Sequence, residues 1–340
     1  MVAKNILVTG AGGFIGHHLC NYLKWKNKND TVIGVDLKQP EFEKTRADEF
    51  YEADLRKMSV ARQFTRHVDE VYALAANMGG IGWISYHNAE ILYDNAMINL
   101  NTLEAARQNG VFEYLYTSSA CIYPEYKQTV TDVIPLKEAD AYPADPQDAY
   151  GWEKLITERL CTHYREDYAM NTRIVRFHNI FGPRGTWRGG REKAPAALCR
   201  KVAVAKLTHA PAIDIWGDGE QTRSFCYIDD CVRGLHMLMQ SDLYQPVNLG
   251  QDQMISINDL ARMVMDIAEY HCDIDHIPGP EGVRGRNSDN TLITKALKWE
   301  PAISLEEGLR RTYGWIEDLV NYELATGADP KALMDSKVYT

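Results

Sequence analysis

Near the start of the chain, an apolar run, Asn5–Thr9, passes straight into Gly10-Ala11-Gly12-Gly13-Phe14-Ile15-Gly16 and then into a helical pattern reaching Lys26. Strand, glycine turn and helix in that order constrain the fold more than any other feature. Glycine allows the tight turn and lets backbone approach a pyrophosphate. The helix N-terminus favours negative charge. Gly10, Gly13 and Gly16 are therefore candidate dinucleotide ligands, with Phe14 and Ile15 inside the turn. A second strand, Thr31–Asp36, ends in a carboxylate. Asp36 suits a ribose 2′-hydroxyl and repels a 2′-phosphate, which favours NAD over NADP. Lys38, close by, tempers that preference. Asp54 follows a third strand and reads either as an adenine neighbour or as an exposed acid. Ala75, ending the run Glu70–Ala75, belongs to the same cofactor site.

Further strands are expected at Phe50–Ala53, Glu113–Ser118 and Thr172–Phe177, with helices near Met58–Arg66, Glu90–Gln108 and Asp148–Tyr168. This alternation implies an α/β fold: a doubly wound parallel (Rossmann) sheet with helices on both faces. After residue 178 the alternation loosens. Gly182–Lys193 reads as a loop over a pocket, and helical patterns recur at Ala194–Lys206, Asp229–Met239, Ile257–Tyr270 and Leu305–Tyr322. The expected organisation is an NAD-binding domain over 1–178, to which later segments return, a smaller substrate-binding domain over 179–325, and a loose tail over 326–340. A length of 340 residues fits two domains.

A net charge of −10 argues against nucleic acid and anionic membranes as partners, but leaves room for an anionic substrate held by a local Arg/Lys cluster. Seven cysteines without a C-x-x-C pair fit reduced thiols and no metal site. Neither a signal peptide nor a membrane-spanning run is evident, so a cytoplasmic location is expected.

Tyr150 and Lys154 lie four residues apart and share one helix face. A free Tyr titrates near pH ~10, and an adjacent ammonium favours the phenolate. Tyr150 then takes a hydroxyl proton while the carbon gives hydride to NAD. Lys154 also suits the nicotinamide ribose, and Ser119 the same substrate oxygen. Alone, such a pair is more often a helix surface; downstream of a glycine turn and a serine, it reads as redox chemistry.

Glycine turn, serine and Tyr-x-x-x-Lys in this order resemble the extended short-chain dehydrogenase/reductase family over roughly residues 4–325. Longer stretches are similar to the branch that epimerises GDP-mannose at carbon-3 and carbon-5: Ala76–Gly80, Ser118–Glu125, Pro146–Gly151, Gly189–Pro195, Trp216–Arg223, Pro278–Asn290 and Ser336–Val338. The resemblance implies transient oxidation at carbon-4 by tightly bound NAD, which acidifies the hydrogens on carbon-3 and carbon-5. Cys121 as base and Lys193 as acid are its candidates for proton exchange. The bland alternatives are a small buried apolar residue for Cys121 and a phosphate contact for Lys193. Dehydratases of the family place an acidic pair where this chain has Ala120 and Cys121, and simple 4-epimerases have Ala or Thr at position 121. Arg223 and Arg286 suit a diphosphate, and Lys201 adds a charge there or sits on the surface. By resemblance Gly79, Asn179, Glu192, Ala194, Gln221 and Ser336 also face the sugar nucleotide. His178 and Trp187 read equally as packing residues. The resemblance also implies a homodimer formed through Glu90–Gln108 and Asp148–Tyr168. Rival readings are another nucleotide-sugar epimerase or dehydratase, and an idle NAD-binding regulator.

Overall fold

A computed structural model describes residues 3–335. Seven parallel strands form the main sheet, in the order Val247–Leu249, Asn171–Phe177, Glu113–Ser119, Glu70–Ala73, Asn5–Thr9, Thr31–Asp36, Glu49–Glu52. The chain starts mid-sheet, builds outward to Glu49–Glu52, then crosses back to Glu70–Ala73. The order therefore reverses between Asn5–Thr9 and Glu70–Ala73. In open parallel sheets a crevice opens beyond the strand ends at such a point. Leu7 pairs with Ile33 on one side and with Val71 on the other.

Strand periodicity feeds both faces. Ile6, Val8, Leu115 and Val175 enter one core, with the C-terminal helices. Leu7, Tyr114, Tyr116 and Ile174 enter the other, beneath Asn88–Gln108 and Ala149–Tyr168. Each buried aliphatic contributes about 1.5–3 kcal/mol.

The second half is built from small pieces. Ala212–Trp216 pairs in parallel with Asp273–Ile277. Thr222–Ser224 lies between Met254–Ser256 and Gly285–Arg286. Ile180–Phe181 pairs with Cys226–Tyr227. The helix Ala194–Thr208 packs against Leu305–Ala325 and Ile257–Ala268. One expectation is corrected: the tail is not loose where it is described. Pro330–Met334 is a helical turn capped by Asp329, and it packs on Ala194–Thr208. Leu333 is buried, and its carbonyl accepts from Arg200. The apolar Leu333 anchors a segment that reads as polar overall.

Candidate active site

One cavity of about 930 Å³ opens at the sheet's reversal point and continues between the sheet and the second half. Every candidate cofactor, catalytic and substrate residue within the described range lines it, whereas His178 and Trp187 do not. Ser336 lies outside the described residues.

The glycine turn forms the floor. Gly10 has φ +71°, which favours glycine, and a Cβ on Gly12 would come 2.0 Å from the Lys38 carbonyl oxygen. Gly12 N donates to Asp36 Oδ2 at 2.9 Å, and Leu37 N donates to Oδ1 at 2.6 Å. Asp36 therefore fastens the turn to the corner after Thr31–Asp36. Burial pushes its carboxyl upward, against these donors. Lys38 points outward, with Nζ 3.6 Å from Glu41. Gly12 was missed by the spacing argument, which used the other three glycines. Asp54 lines the wall, but Arg56 grips both of its oxygens, Oδ1 at 2.9 Å and Oδ2 at 3.1 Å.

Asp148 caps the helix Ala149–Tyr168 by accepting from Gly151 N at 2.8 Å. That cap fixes Tyr150 and Lys154 at the cavity. Lys154 is 2 % exposed, and Nζ donates to the Thr117 carbonyl at 2.9 Å. It lies 5.6 Å from the Tyr150 ring centroid. Burial lowers Lys154 below the ordinary lysine range. The sequence argument expects Tyr150 to be lowered, and here the chain differs. Burial drives the Tyr150 phenol well up, Cys121, Glu153 and Asp148 add to this, and a Ser119 hydrogen bond opposes it. Desolvation outweighs a cation held more than one hydrogen-bond length away. Ser119 Oγ also accepts from Cys121 N at 3.2 Å.

Across the cavity, Cys121 Sγ lies 3.4 Å from Arg286 NH1, and Arg286 Nε donates to Gln128 Oε1 at 2.6 Å. Lys193 stands at the residue before the helix Ala194–Thr208, and burial lowers its ammonium, with Cys121 opposing. Arg223 donates to the carbonyls of Thr222 at 2.8 Å and Val283 at 2.6 Å. Burial and the neighbouring Arg286 push Arg223 down to about 9. Two guanidiniums crowded into a dry wall make a site that favours an anion.

Other candidates prove to be engaged locally. Lys201 donates to Asp214 Oδ2 at 2.9 Å. Glu192 pairs with Arg200 at 2.8 Å and accepts from Gly190 N at 2.6 Å. Asn179 donates to the Ser224 carbonyl at 2.8 Å. Gln221 Nε2 donates to the Trp216 carbonyl at 3.3 Å, while its buried Oε1 has no hydrogen-bond partner. Gly79 sits against Trp83, and Ala194 opens its helix. His178 is buried and bonds Asn248 at 3.0 Å, and Trp187 is buried beside Arg200. Sequence reasoning missed Thr117, Gln128, Asp148 and Asp214; of these only Asp148, a cap residue before a helix, carries a local signal.

Residues 6–250 match the NAD dependent epimerase/dehydratase family, and the chain belongs to it. The chain is 52% identical over 335 residues to the GDP-mannose 3,5-epimerase of Arabidopsis thaliana, spanning 98% of this chain and 87% of that protein. It is 51% identical, with the same coverage, to GDP-mannose 3,5-epimerase 1 of Oryza sativa subsp. japonica. Among solved structures it resembles UDP-glucose 4-epimerase with UDP-glucose from Thermotoga maritima, with TM-score 0.83 and 27% identity over 93% of this chain and 99% of that one. UDP-glucuronic acid 4-epimerase from Bacillus cereus, in complex with UDP-glucuronic acid and NAD, gives TM-score 0.75 and 27% identity over the same shares.

Proposed function

We propose that this chain converts GDP-D-mannose to GDP-L-galactose, with some GDP-L-gulose, by inverting carbon-3 and carbon-5. The observation that carries this reading is the convergence of Tyr150, Lys154, Ser119, Cys121 and Lys193 on one cavity in a chain 52% identical to such an enzyme.

The glycine turn fits NAD: it offers backbone that side chains would fill, and Asp36 stands at the ribose end. Gly10, Gly13, Phe14, Ile15, Gly16, Asp36, Asp54, Ala75, Tyr150 and Lys154 hold the cofactor in this reading. Bound NAD would supply reversible hydride transfer at carbon-4.

Tyr150 takes the carbon-4 hydroxyl proton, and Ser119 orients that oxygen. The 4-keto sugar then has acidic hydrogens at carbon-3 and carbon-5. Cys121 removes protons, with the Arg286 guanidinium 3.4 Å from its sulfur. Lys193 returns protons from the other side, and its lowered ammonium gives up a proton more readily than a free lysine. Arg223 and Arg286 face the diphosphate. Gly79, Asn179, Glu192, Ala194, Lys201, Gln221 and Ser336 complete the sugar-nucleotide site.

Residues 1–178 form the NAD-binding part in this reading, with Val247–Leu249 returning to its sheet, and 179–325 mainly bind the substrate. Exposed Leu92, Tyr93 and Leu100 on one long helix, and Trp152 and Ile156 on its neighbour, support a homodimer through that pair. Seven unpaired cysteines support a reducing, cytoplasmic setting. No described helix is long and apolar enough to cross a membrane.

The deciding experiment is NMR of the hexose after purified protein acts on GDP-mannose in heavy water. Deuterium at both carbon-3 and carbon-5, with GDP-L-galactose formed, is expected. Exchange at neither carbon, in protein carrying NAD, would reject the reading and favour another nucleotide sugar.

A further inference from the structure

The segment that carries Lys193 is held from two sides. On the substrate side, Glu192 pairs with Arg200 at 2.8 Å. On the NAD side, the segment meets the glycines that open the short helix Ile81–Ile84. Gly80 N donates to the Arg191 carbonyl at 2.9 Å, and a Cβ on Gly80 would come 2.4 Å from the Glu192 carbonyl oxygen. Glycine alone allows so close an approach. The Gly80 carbonyl in turn accepts from Trp83 N at 2.9 Å.

Side chains complete the join. The Arg191 guanidinium lies over the Trp83 ring, 3.4 Å from its centroid. The Trp83 and His87 rings are stacked, with centroids 3.5 Å apart and planes 13° apart. Two groups so near one centroid cannot share a face, so the indole is sandwiched between them. His87 Nδ1 bonds the Trp83 carbonyl at 2.9 Å, and the next residue begins the helix Asn88–Gln108. That helix packs on Ala149–Tyr168. Trp83 is buried in one apolar cluster with Ile84, Ile91 and Tyr150, and Cys121 packs against that cluster. Arg191 and Lys193 line the cavity, whereas Trp83 does not.

We propose that Trp83 is a positioning residue: through Arg191, its indole sets where Lys193 stands relative to Cys121 and the sugar. This rests on the assignment of Lys193 as the acid. An indole face attracts a guanidinium laid over it and fixes its orientation. Here that face belongs to the same cluster that packs Tyr150 and Cys121, so one side chain sets the donor against the other reacting groups. Proton return needs donor and carbon about 3–3.5 Å apart, and a displacement of about 1 Å costs about 10²-fold.

The test compares wild type, Trp83→Leu, Arg191→Met, the double variant and Trp83→Phe. Each is isolated with its NAD and given GDP-mannose in heavy water. Trp83→Leu keeps the cluster around Tyr150 apolar, so oxidation at carbon-4 is expected to persist, read as the absorbance of reduced nicotinamide. Trp83→Leu and Arg191→Met are each expected to lower kcat and deuterium incorporation about 10- to 100-fold, with KM within about twofold. Because both remove one contact, the double variant is expected to lose no more than the larger single loss. Trp83→Phe keeps a face for the guanidinium and is expected to stay within about threefold of wild type. Wild-type exchange in Trp83→Leu would overturn the proposal. So would losses that multiply in the double variant, or a rise in KM with kcat unchanged. Reduced nicotinamide lost in step with exchange would also overturn it, because that marks a support for Tyr150 alone. If Trp83→Leu does not fold, Arg191→Met decides, and wild-type exchange there rejects the proposal. Lys193→Ala separates the two levels: full exchange at both carbons in that variant would reject Lys193 as the acid, whatever the stack does.

Discussion

Cys121 and Arg286 stand 165 residues apart in sequence and meet at 3.4 Å. Nothing local announces that contact. Cys121 is legible only inside the stretch Ser118–Glu125, and Arg286 only as a cation suited to phosphate. The proposed redox pair, Tyr150 and Lys154, is easier to read, because four-residue spacing on a helix is a local property. Its electrostatics are not, because the burial of Tyr150 depends on elements far along the chain. If Cys121 is the base, Cys121→Ala removes one proton-exchange step and leaves oxidation at carbon-4 intact. The variant is expected to bind NAD normally and still show the absorbance of reduced nicotinamide with GDP-mannose. Epimerisation is expected to fall about 10²–10⁴-fold, with deuterium lost from one or both carbons. Unchanged exchange at both would return Cys121 to an ordinary packing role.

At the scale of elements, the glycine turn is where sequence and structure agree most closely. Asn5–Thr9, Phe14–Lys26 and Thr31–Asp36 have the same ends in both. Local chemistry sets those ends: glycine at one, an acid at the other. The turn is also intolerant. A methyl on Gly12 would meet the Lys38 carbonyl and displace the bond to Asp36. Gly12→Ala is expected to yield protein that retains little NAD after gel filtration, with a melting temperature lowered by several degrees, in keeping with a cost of about 1–3 kcal/mol. The second half was far less legible. Strands such as Thr222–Ser224 and Gly285–Arg286 are two or three residues long, too short for any periodicity. Their pairing is decided by partners some sixty positions distant, Thr222 against Gly285.

For the whole molecule, the faces left apolar matter as much as those buried. Trp152 and Ile156 recur one helical turn apart on the helix Ala149–Tyr168, and Leu92 and Leu100 two turns apart on its neighbour. Such a pattern suits the dimer proposed above. Ile156→Asp is expected to convert a dimer to a monomer in sedimentation at micromolar concentration. A wild-type monomer would remove the dimer from the proposed function.

The strand Val247–Leu249 covers the outer edge of Asn171–Phe177 at Val175, Arg176 and Phe177. During synthesis that edge leaves the ribosome long before its cover does. A nascent chain paused in between holds a nearly complete sheet with an open side, and an open side pairs readily with another copy. Chaperone demand should therefore peak while residues 178–246 are being made, and ease once 247–249 arrive.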